Sequence, residues 1–272
     1  MNNSIQNVII YYDNYEDIEL YLNELNNQVI DDIDFFVTLV MNKFNNEDLI
    51  GLEILIDSIS FQCELIFPNG NLGYLNGLLY GYRKSQFRKE NLDWVIFSNT
   101  DIEIPNKFFI KKFLATNYSD DIVCVAPSVF SKELNAYSNP QYKTRYTKRE
   151  LLRRVKIFNN KFLANMYFSL SDIKHAMIKK NKEESCYVYS AHGSFFFLRR
   201  NFLDKLNKSY MSLMYSEEAF IAEEVLKQNG RIYYDSRIEV EHLESKVTGK
   251  LGKQKKAKYI AESLEKIIEE YF

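Results

Sequence analysis

Two short acidic stretches and a pair of histidines are the parts of this sequence equipped for chemistry on a polar ligand. Asp101 and Glu103 stand one residue apart in Trp94-Val-Ile-Phe-Ser-Asn-Thr-Asp-Ile-Glu-Ile-Pro105, where an apolar run passes straight into polar residues. Two carboxylates so spaced on an edge loop can share a hard cation such as Mg²⁺ or Mn²⁺, and such a cation neutralises a departing diphosphate. The same residues also suit a turn whose Asp caps the next helix. Glu217 and Glu218 open a helical pattern in Tyr215-Ser-Glu-Glu-Ala-Phe-Ile-Ala-Glu223. One of them can serve as general base toward a hydroxyl, although the helix dipole alone favours carboxylates in a first turn. His242 follows the strand-like Arg237-Ile-Glu-Val-Glu241, and His192 precedes Gly193 at the start of the apolar run Ser194-Phe-Phe-Phe-Leu198. Both therefore fall at strand edges, where a histidine can serve as a ligand or simply as a structural residue. His175 lies in an irregular basic stretch and reads as an exposed residue. The chain carries no nucleophile elbow, P-loop or GxGxxG.

The elements that must position these groups alternate in the first half. Strands are expected at Val8–Tyr12, Phe35–Met41, Glu64–Phe67, Asp93–Phe97 and Asp121–Ala126. Helices are expected between them at Glu16–Leu25, Glu47–Ile59, Gly73–Phe87 and Asn106–Leu114. Near-continuous apolar strands separated by helices give an α/β fold with a mostly parallel sheet covered on both faces. Ligands of such sheets bind outside the carboxyl ends of the strands, which places function in the turns after Tyr12, Met41, Phe67 and Phe97. Gly73, Gly77 and Gly81 recur every four residues and make one smooth helix face, fit either to pack on the sheet or to let a ligand approach. The second half is less regular. Residues 140–182 carry Lys and Arg clusters with little periodicity, read as an inserted helical or mobile segment. Strand returns at Tyr187–Leu198 and Ile232–Val240, with a helix at Ala219–Gln228 stopped by Asn229-Gly230. The tail, Lys250–Phe272, is a helix with lysines at its start and glutamates at its end. Ile260, Leu264, Ile267, Ile268 and Tyr271 lie on one stripe of it, suited to packing, to dimerisation or to an anionic membrane surface.

Composition sets the bounds. The chain has 272 residues, 46% hydrophobic and 26% charged, enough to bury a core, and its formal charge of -2 gives no support to wholesale nucleic-acid binding. Tyr and Phe, at 20 each, suit sugar faces, though a compositional bias accounts for them as well. Cys63, Cys124 and Cys186 are widely spaced and odd in number, which reads as buried thiols in a reducing compartment. No apolar run approaches the ~20 residues needed to span a bilayer, so the expected location is cytoplasmic, free or peripheral on the inner face of a membrane.

Taken in order, the motifs resemble those of the family 2 glycosyltransferases with a GT-A fold, especially bacterial members that build capsule, O-antigen and cell-wall polysaccharide. Asn71-Leu-Gly-Tyr-Leu-Asn-Gly77-Leu-Leu-Tyr-Gly81 is similar to that family's N-x-G-[FY]-x-x-G-x-N-x-G segment, and Asp93-Trp-Val-Ile-Phe-Ser-Asn-Thr-Asp101 to its strand and N-x-D metal loop. Ala191-His-Gly-Ser-Phe-Phe-Phe-Leu-Arg-Arg200 resembles its acceptor-side strand. Leu213-Met-Tyr-Ser-Glu-Glu218, Gly230-Arg-Ile-Tyr-Tyr234, His242 and Ser245 resemble the run that closes the domain. The resemblance extends from residue 7 to about residue 250. It departs from the pattern at Met41-Asn42, where Asp-Asn is usual, at Leu79, where Asn is usual, and at Glu217-Glu218, where Glu-Asp is usual.

The resemblance implies a GT-A domain over 1–249, with a nucleotide-sugar half (1–130) and an acceptor half (131–249) that contains the basic helical segment near 145–182, followed by a carboxyl-terminal helix over 250–272. It implies a donor site of Tyr12, Asp13, Asn42, Asn71, Gly73, Gly77, Asn99 and Asp101, and an acceptor side of His192, Gly193 and Ser194. A divalent metal, Mn²⁺ or Mg²⁺, would be held by Asp101 with Glu103 and His242. Glu218 is the first choice as base and Glu217 the second. The expected partners are a UDP- or dTDP-sugar donor and a glycan or lipid-linked acceptor. Two rivals are a sugar-nucleotide pyrophosphorylase-like nucleotidyltransferase and an inactive binding subunit of the same fold. The first needs a Gly-rich basic loop after the first strand, where this chain reads Tyr11-Tyr-Asp-Asn-Tyr15.

Overall fold

The structure, a computed structural model, describes residues 4–87, 92–177, 181–243 and 252–272, the side chains of 172–177 excepted. Ser245, Lys250 and the Lys179-Lys180 pair lie outside the described residues. In chain order the first elements are β1 (Ser4–Tyr12), α1 (Tyr15–Asn26), β2 (Asp34–Lys43), α2 (Asn46–Ser58), β3 (Gln62–Ile66), α3 (Tyr74–Lys84) and β4 (Trp94–Ser98). Then come β5 (Ile102–Glu103), α4 (Phe109–Leu114), β6 (Ile122–Ser131), β7 (Ala136–Tyr137), α5 (Lys148–Asn159) and α6 (Lys161–Met177). The chain closes with β8 (Cys186–Val188), β9 (Phe195–Arg199), α7 (Arg200–Lys205), α8 (Glu217–Lys227), β10 (Arg231–His242) and a last helix, α9 (Lys253–Tyr271).

The sheet runs β3-β2-β1-β4-β9-β6-β10-β5. Its first four strands are parallel, as expected of apolar runs joined by helices. Beyond β4 it is mixed: β9 lies antiparallel between β4 and β6, and β10 runs parallel to β6. Alternate residues of each strand feed two cores. Val8, Val40 and Phe97 pack under α3 on one face, while Ile5, Ile9 and Leu39 pack against α1 on the other.

The glycine stripe of α3 belongs to packing. A Cβ at Gly81 would meet Val40 Cγ2 at 2.5 Å and Val8 Cγ1 at 2.7 Å, and one at Gly77 would meet Ile10 Cδ1 at 2.7 Å. The helix therefore lies closer to β1 and β2 than any larger residue would permit. Gly77 supports the site only by setting this distance.

The described residues of the segment 140–182 include the two helices α5 and α6, the helical alternative of the sequence reading. Thr147 and Glu150 form a capping box that starts α5, and Leu151, Val155 and Phe158 make a buried stripe beneath an otherwise basic helix. That stripe packs on α9, whose Ala257, Ala261, Leu264, Ile267 and Ile268 are buried in return. The apolar stripe of the tail is thus covered within the chain. Among the described residues no helix is long and apolar enough to cross a membrane.

Two further expectations are corrected. Tyr187–Leu198 is not one strand: β8 pairs with β10 while β9 pairs with β4 and β6, so residues 189–194 must cross between different neighbours. Of the cysteines only Cys124 is fully buried, Cys63 and Cys186 being partly so, and all three are free. Burial pushes the Cys63 thiol up to about 12.

Candidate active site

Strand direction explains how distant segments meet. β9 is antiparallel to β4, so its first residues lie at the carboxyl edge of the parallel strands; β10 runs with β4, so its last residue reaches that same edge. His192, Gly193 and Ser194 come from the first, His242 from the second. With Tyr12 after β1, Asn42 at the end of β2, and Ser98 to Asp101 after β4, they line a cavity of about 530 Å³. Residues 213–218 close its far wall.

The floor is a buried polar network. Asn7 donates to the Tyr21 hydroxyl at 2.8 Å, Tyr21 and Ser98 share a bond of 2.7 Å, and Ser98 donates to Asn7 at 3.1 Å. Fully satisfied networks of this kind hold one geometry. They fix the start of the loop that carries Asp101.

Asp101 and His242 face each other, Asp101 Oδ1 lying 3.2 Å from His242 Nε2, with side chains 11% and 7% exposed. Asn99 Nδ2 is 3.4 Å from the same ring nitrogen. The loop is tied on both sides: the Asn99 amide donates to the Ser194 carbonyl at 2.8 Å, and the Leu243 amide to the Asp101 carbonyl at 2.9 Å. The other carboxylate oxygen, Asp101 Oδ2, is buried with no hydrogen-bond partner. A buried carboxylate oxygen left unsatisfied is costly, and a hard cation is a partner that would satisfy it. Glu103 is not brought to this group. It sits in β5, paired with β10, and its carboxylate is bound by Lys132, which also pairs with Glu241 at 2.9 Å. Among the described residues no three His, Cys, Asp or Glu side chains gather as a metal cluster.

The opposite wall is strained. Tyr215 and Ser216 both adopt left-handed backbone, with φ of 66° and 63°, a conformation that costs non-glycine residues of order 1 kcal/mol or more each. The strain is held by the Tyr210 hydroxyl, which donates to the Tyr215 carbonyl, and by a 2.9 Å bond between Ser216 Oγ and Ser263 Oγ of α9. It turns Glu217 and Glu218 into the cavity in the first turn of α8. Burial, with the charge of Glu218 added, pushes Glu217 up to about 8. Burial also raises Glu218, but the nearby Arg154 cation works against that rise. The Tyr74 phenol, which donates to the Gly193 carbonyl at 3.1 Å, is pushed up by burial and by the charges of Glu217 and Asp101.

A stability prediction follows from Glu217. Below about pH 4.5 both folded and unfolded chains hold its proton. Between 4.5 and 8 only the folded chain does, so each pH unit in that window costs the fold up to ~1.4 kcal/mol. Above 8 the loss is complete. Glu217→Gln is therefore expected to melt roughly 10 °C above the parent at pH 8, with the gain shrinking toward zero at pH 5. Equal gains at both pH values in thermal melts would refute the assignment.

Most of the expected site residues share this cavity, and three do not. Glu103 and Gly77 are accounted for above. Asp13, at φ 56°, turns away into an ion pair with Lys43 at 2.5 Å. Asn42 lines the cavity, but its amide clamps the next loop, donating to the Gly73 carbonyl at 2.9 Å and accepting from the Leu72 amide at 3.4 Å. Gly73 needs its φ of +76°, and a Cβ there would lie 2.3 Å from the Leu213 carbonyl oxygen. Ser194 bonds His192 Nδ1 at 2.9 Å. The side chain of His175 lies outside those described. Sequence reasoning missed Asn14, Thr100, Tyr74 and Gln141, all on the cavity wall. Asn14 carried a readable signal: two residues past an apolar strand, it accepts from the Tyr12 amide at 2.9 Å and donates to Thr100 at 2.8 Å.

No family model matches the sequence, and no curated protein matches it. Solved structures do match in shape. TarS of S. aureus in complex with UDP-GlcNAc superposes with a TM-score of 0.58 at 14% identity, over 92% of this chain and 61% of that one. The mannosyltransferase PcManGT from Pyrobaculum calidifontis, with GDP-Man and Mn²⁺, gives 0.55 at 11% identity over 89% and 57%. GalNAc-T7 with UDP, GalNAc and Mn²⁺ gives 0.60 at 13% identity over 89% and 44%. The chain thus spans less than two thirds of the length of each. At these identities the likeness is one of fold, and the fold is the GT-A type of the glycosyltransferases.

Proposed function

We propose that this chain is an inverting, metal-dependent glycosyltransferase that moves a sugar from a nucleoside-diphosphate donor to a hydroxyl of a glycan or lipid-linked acceptor. The observation that carries it is one cavity lined by Asp101 and His242 together with Glu217 and Glu218. Among the described residues that line it are four carboxylates, with Asp17 the fourth, and no lysine or arginine. A diphosphate entering such a cavity unaccompanied meets repulsion; a divalent cation removes it. Asp101, with its buried unsatisfied oxygen, and His242 are the residues that would hold that cation, with the donor's own phosphate oxygens as further ligands. When bound it supplies positive charge to the leaving diphosphate. The Mn²⁺ complexes of two structures of this fold support the same reading.

The chain's own residues do the rest. Glu217, held near 8, keeps its proton at neutral pH, so Glu218 beside it is the carboxylate free to act as base. It takes the acceptor proton as the acceptor oxygen bonds to the anomeric carbon and the bond to the diphosphate breaks. The sugar passes through an oxocarbenium-like state like that of glycosidases, and a single displacement inverts its configuration. Tyr12, Asn14 and Asn71, which line the cavity, would meet the nucleoside, and His192 to Ser194, which line it too, would meet the acceptor. The absence of any cation among these lining residues also argues against a pyrophosphorylase-like nucleotidyltransferase.

Calorimetric titration with UDP, GDP and dTDP, with and without Mn²⁺, tests the reading. Binding of at least one nucleotide is expected to require the metal. Equal binding without it, or conversion of a bound donor with retention of anomeric configuration by NMR, would overturn the mechanism.

A further inference from the structure

The helical pair α5–α6 shows the solvent two unlike stripes. On α5 the buried side is Leu151, Val155 and Phe158, which leaves Arg149, Arg153 and Lys156 exposed on the opposite side at helical spacing. On α6, which follows directly after Asn160, the exposed stripe is apolar: Phe162 is 74% exposed, Met166 47% and Leu170 57%. Three large apolar side chains one turn apart are not scattered surface residues; they form a continuous face. The bulk charge of the chain is slightly negative, so this basic stripe is a local feature.

We propose that α5 and α6 form a docking surface for an anionic lipid bilayer. The two stripes match the two layers of such a surface: Arg149, Arg153 and Lys156 would meet lipid phosphates, and Phe162, Met166 and Leu170 would enter the acyl boundary. Charge complementarity selects this partner over a neutral one, and the apolar stripe selects it over a nucleic acid, whose backbone offers nothing to three large aliphatic and aromatic groups. The tail helix, the other amphipathic element, is ruled out because its apolar stripe is buried against α5. The inner side of α5 ties the surface to the cavity. Arg154 turns inward onto the Tyr146 ring at 4.9 Å and bonds the Tyr142 hydroxyl at 3.2 Å, and its charge is felt by Glu218. The same helix thus carries the proposed outer contacts and an inward cation that acts on Glu218.

The inference goes beyond the transferase reading and is tested without donor or turnover. The full chain is co-sedimented with vesicles of phosphatidylcholine, with and without phosphatidylglycerol, at low and high salt. Binding is expected only with phosphatidylglycerol and is expected to weaken with salt. Combined Arg149→Gln, Arg153→Gln and Lys156→Gln should weaken it roughly 100-fold, and combined Phe162→Ser, Met166→Ser and Leu170→Ser should abolish it. All six residues are exposed, so melting temperatures should stay within a few degrees of the parent. The proposal is overturned if no vesicle binds, if both variants bind like the parent, or if the apolar variant only converts a dimer to a monomer in sedimentation.

Discussion

Asp101→Ala is expected to leave a folded protein whose donor affinity in Mn²⁺ falls at least ~100-fold, since even outer partners of a metal ligand are worth 10–100-fold. The fold should survive because Asp101 holds its neighbours through the backbone, by the bond from the Leu243 amide, which alanine keeps. What alanine removes is Oδ2, buried and unsatisfied in the free protein, and the contact of Oδ1 with His242. Loss of an oxygen that had no partner should cost little stability, which thermal melts read as an unchanged midpoint. Turnover near the parent rate with metal present would show that the cation, if one acts, is held elsewhere.

Glu218→Gln is expected to lower turnover by ~10²-fold or more, the ordinary worth of a general base, with donor affinity little changed. The carboxamide keeps size and hydrogen bonding but cannot accept the acceptor proton. The parent's turnover should rise with pH as Glu218 ionises, above the usual carboxylate range because burial raises it. That rise should vanish in the variant. If Glu217→Gln shows this pattern and Glu218→Gln does not, the two exchange roles. If neither changes turnover, the displacement mechanism fails.

The sheet was legible because its central strands are buried on both faces, so β1, β2, β4 and β6 appear as unbroken apolar runs. The meeting of Asp101 and His242 was legible because each follows an apolar strand and strand direction brings both to one edge, whereas Glu218 reaches the same cavity from the first turn of α8 through the strained Tyr215-Ser216 backbone. Glu103 misled because its partner, Lys132, is supplied by the end of β6, and nothing local to Asp-Ile-Glu announces a cation from 29 residues away. Asn42 misled in a different way: its position in the cavity was right, but its amide is committed to the backbone of residues 72 and 73. The segment of α5 and α6 was readable as helical or mobile but no more closely, because its basic residues mask the narrow buried stripe Leu151, Val155 and Phe158. The interruption between β8 and β9 had no local signal either, since it arises from which strands are neighbours.

The bond between Ser216 and Ser263 has a consequence for how the protein comes into being. The two residues are 47 positions apart, and the loop that the bond secures is the one that holds its backbone against its own preference at Tyr215 and Ser216. While the chain is being synthesised, the parallel strands β1 to β4 can assemble long before α9 has left the ribosome, and the loop that carries Asp101 is tied once Ser194 and Leu243 have followed. The carboxylates of α8 cannot be locked until α9 has emerged. A nascent or clipped chain lacking α9 is therefore expected to keep the Asp101 and His242 side of the cavity while Glu217 and Glu218 lose the support that aims them into it, so that the cavity is completed last, by a helix whose Ser263 lies 47 residues further along the chain.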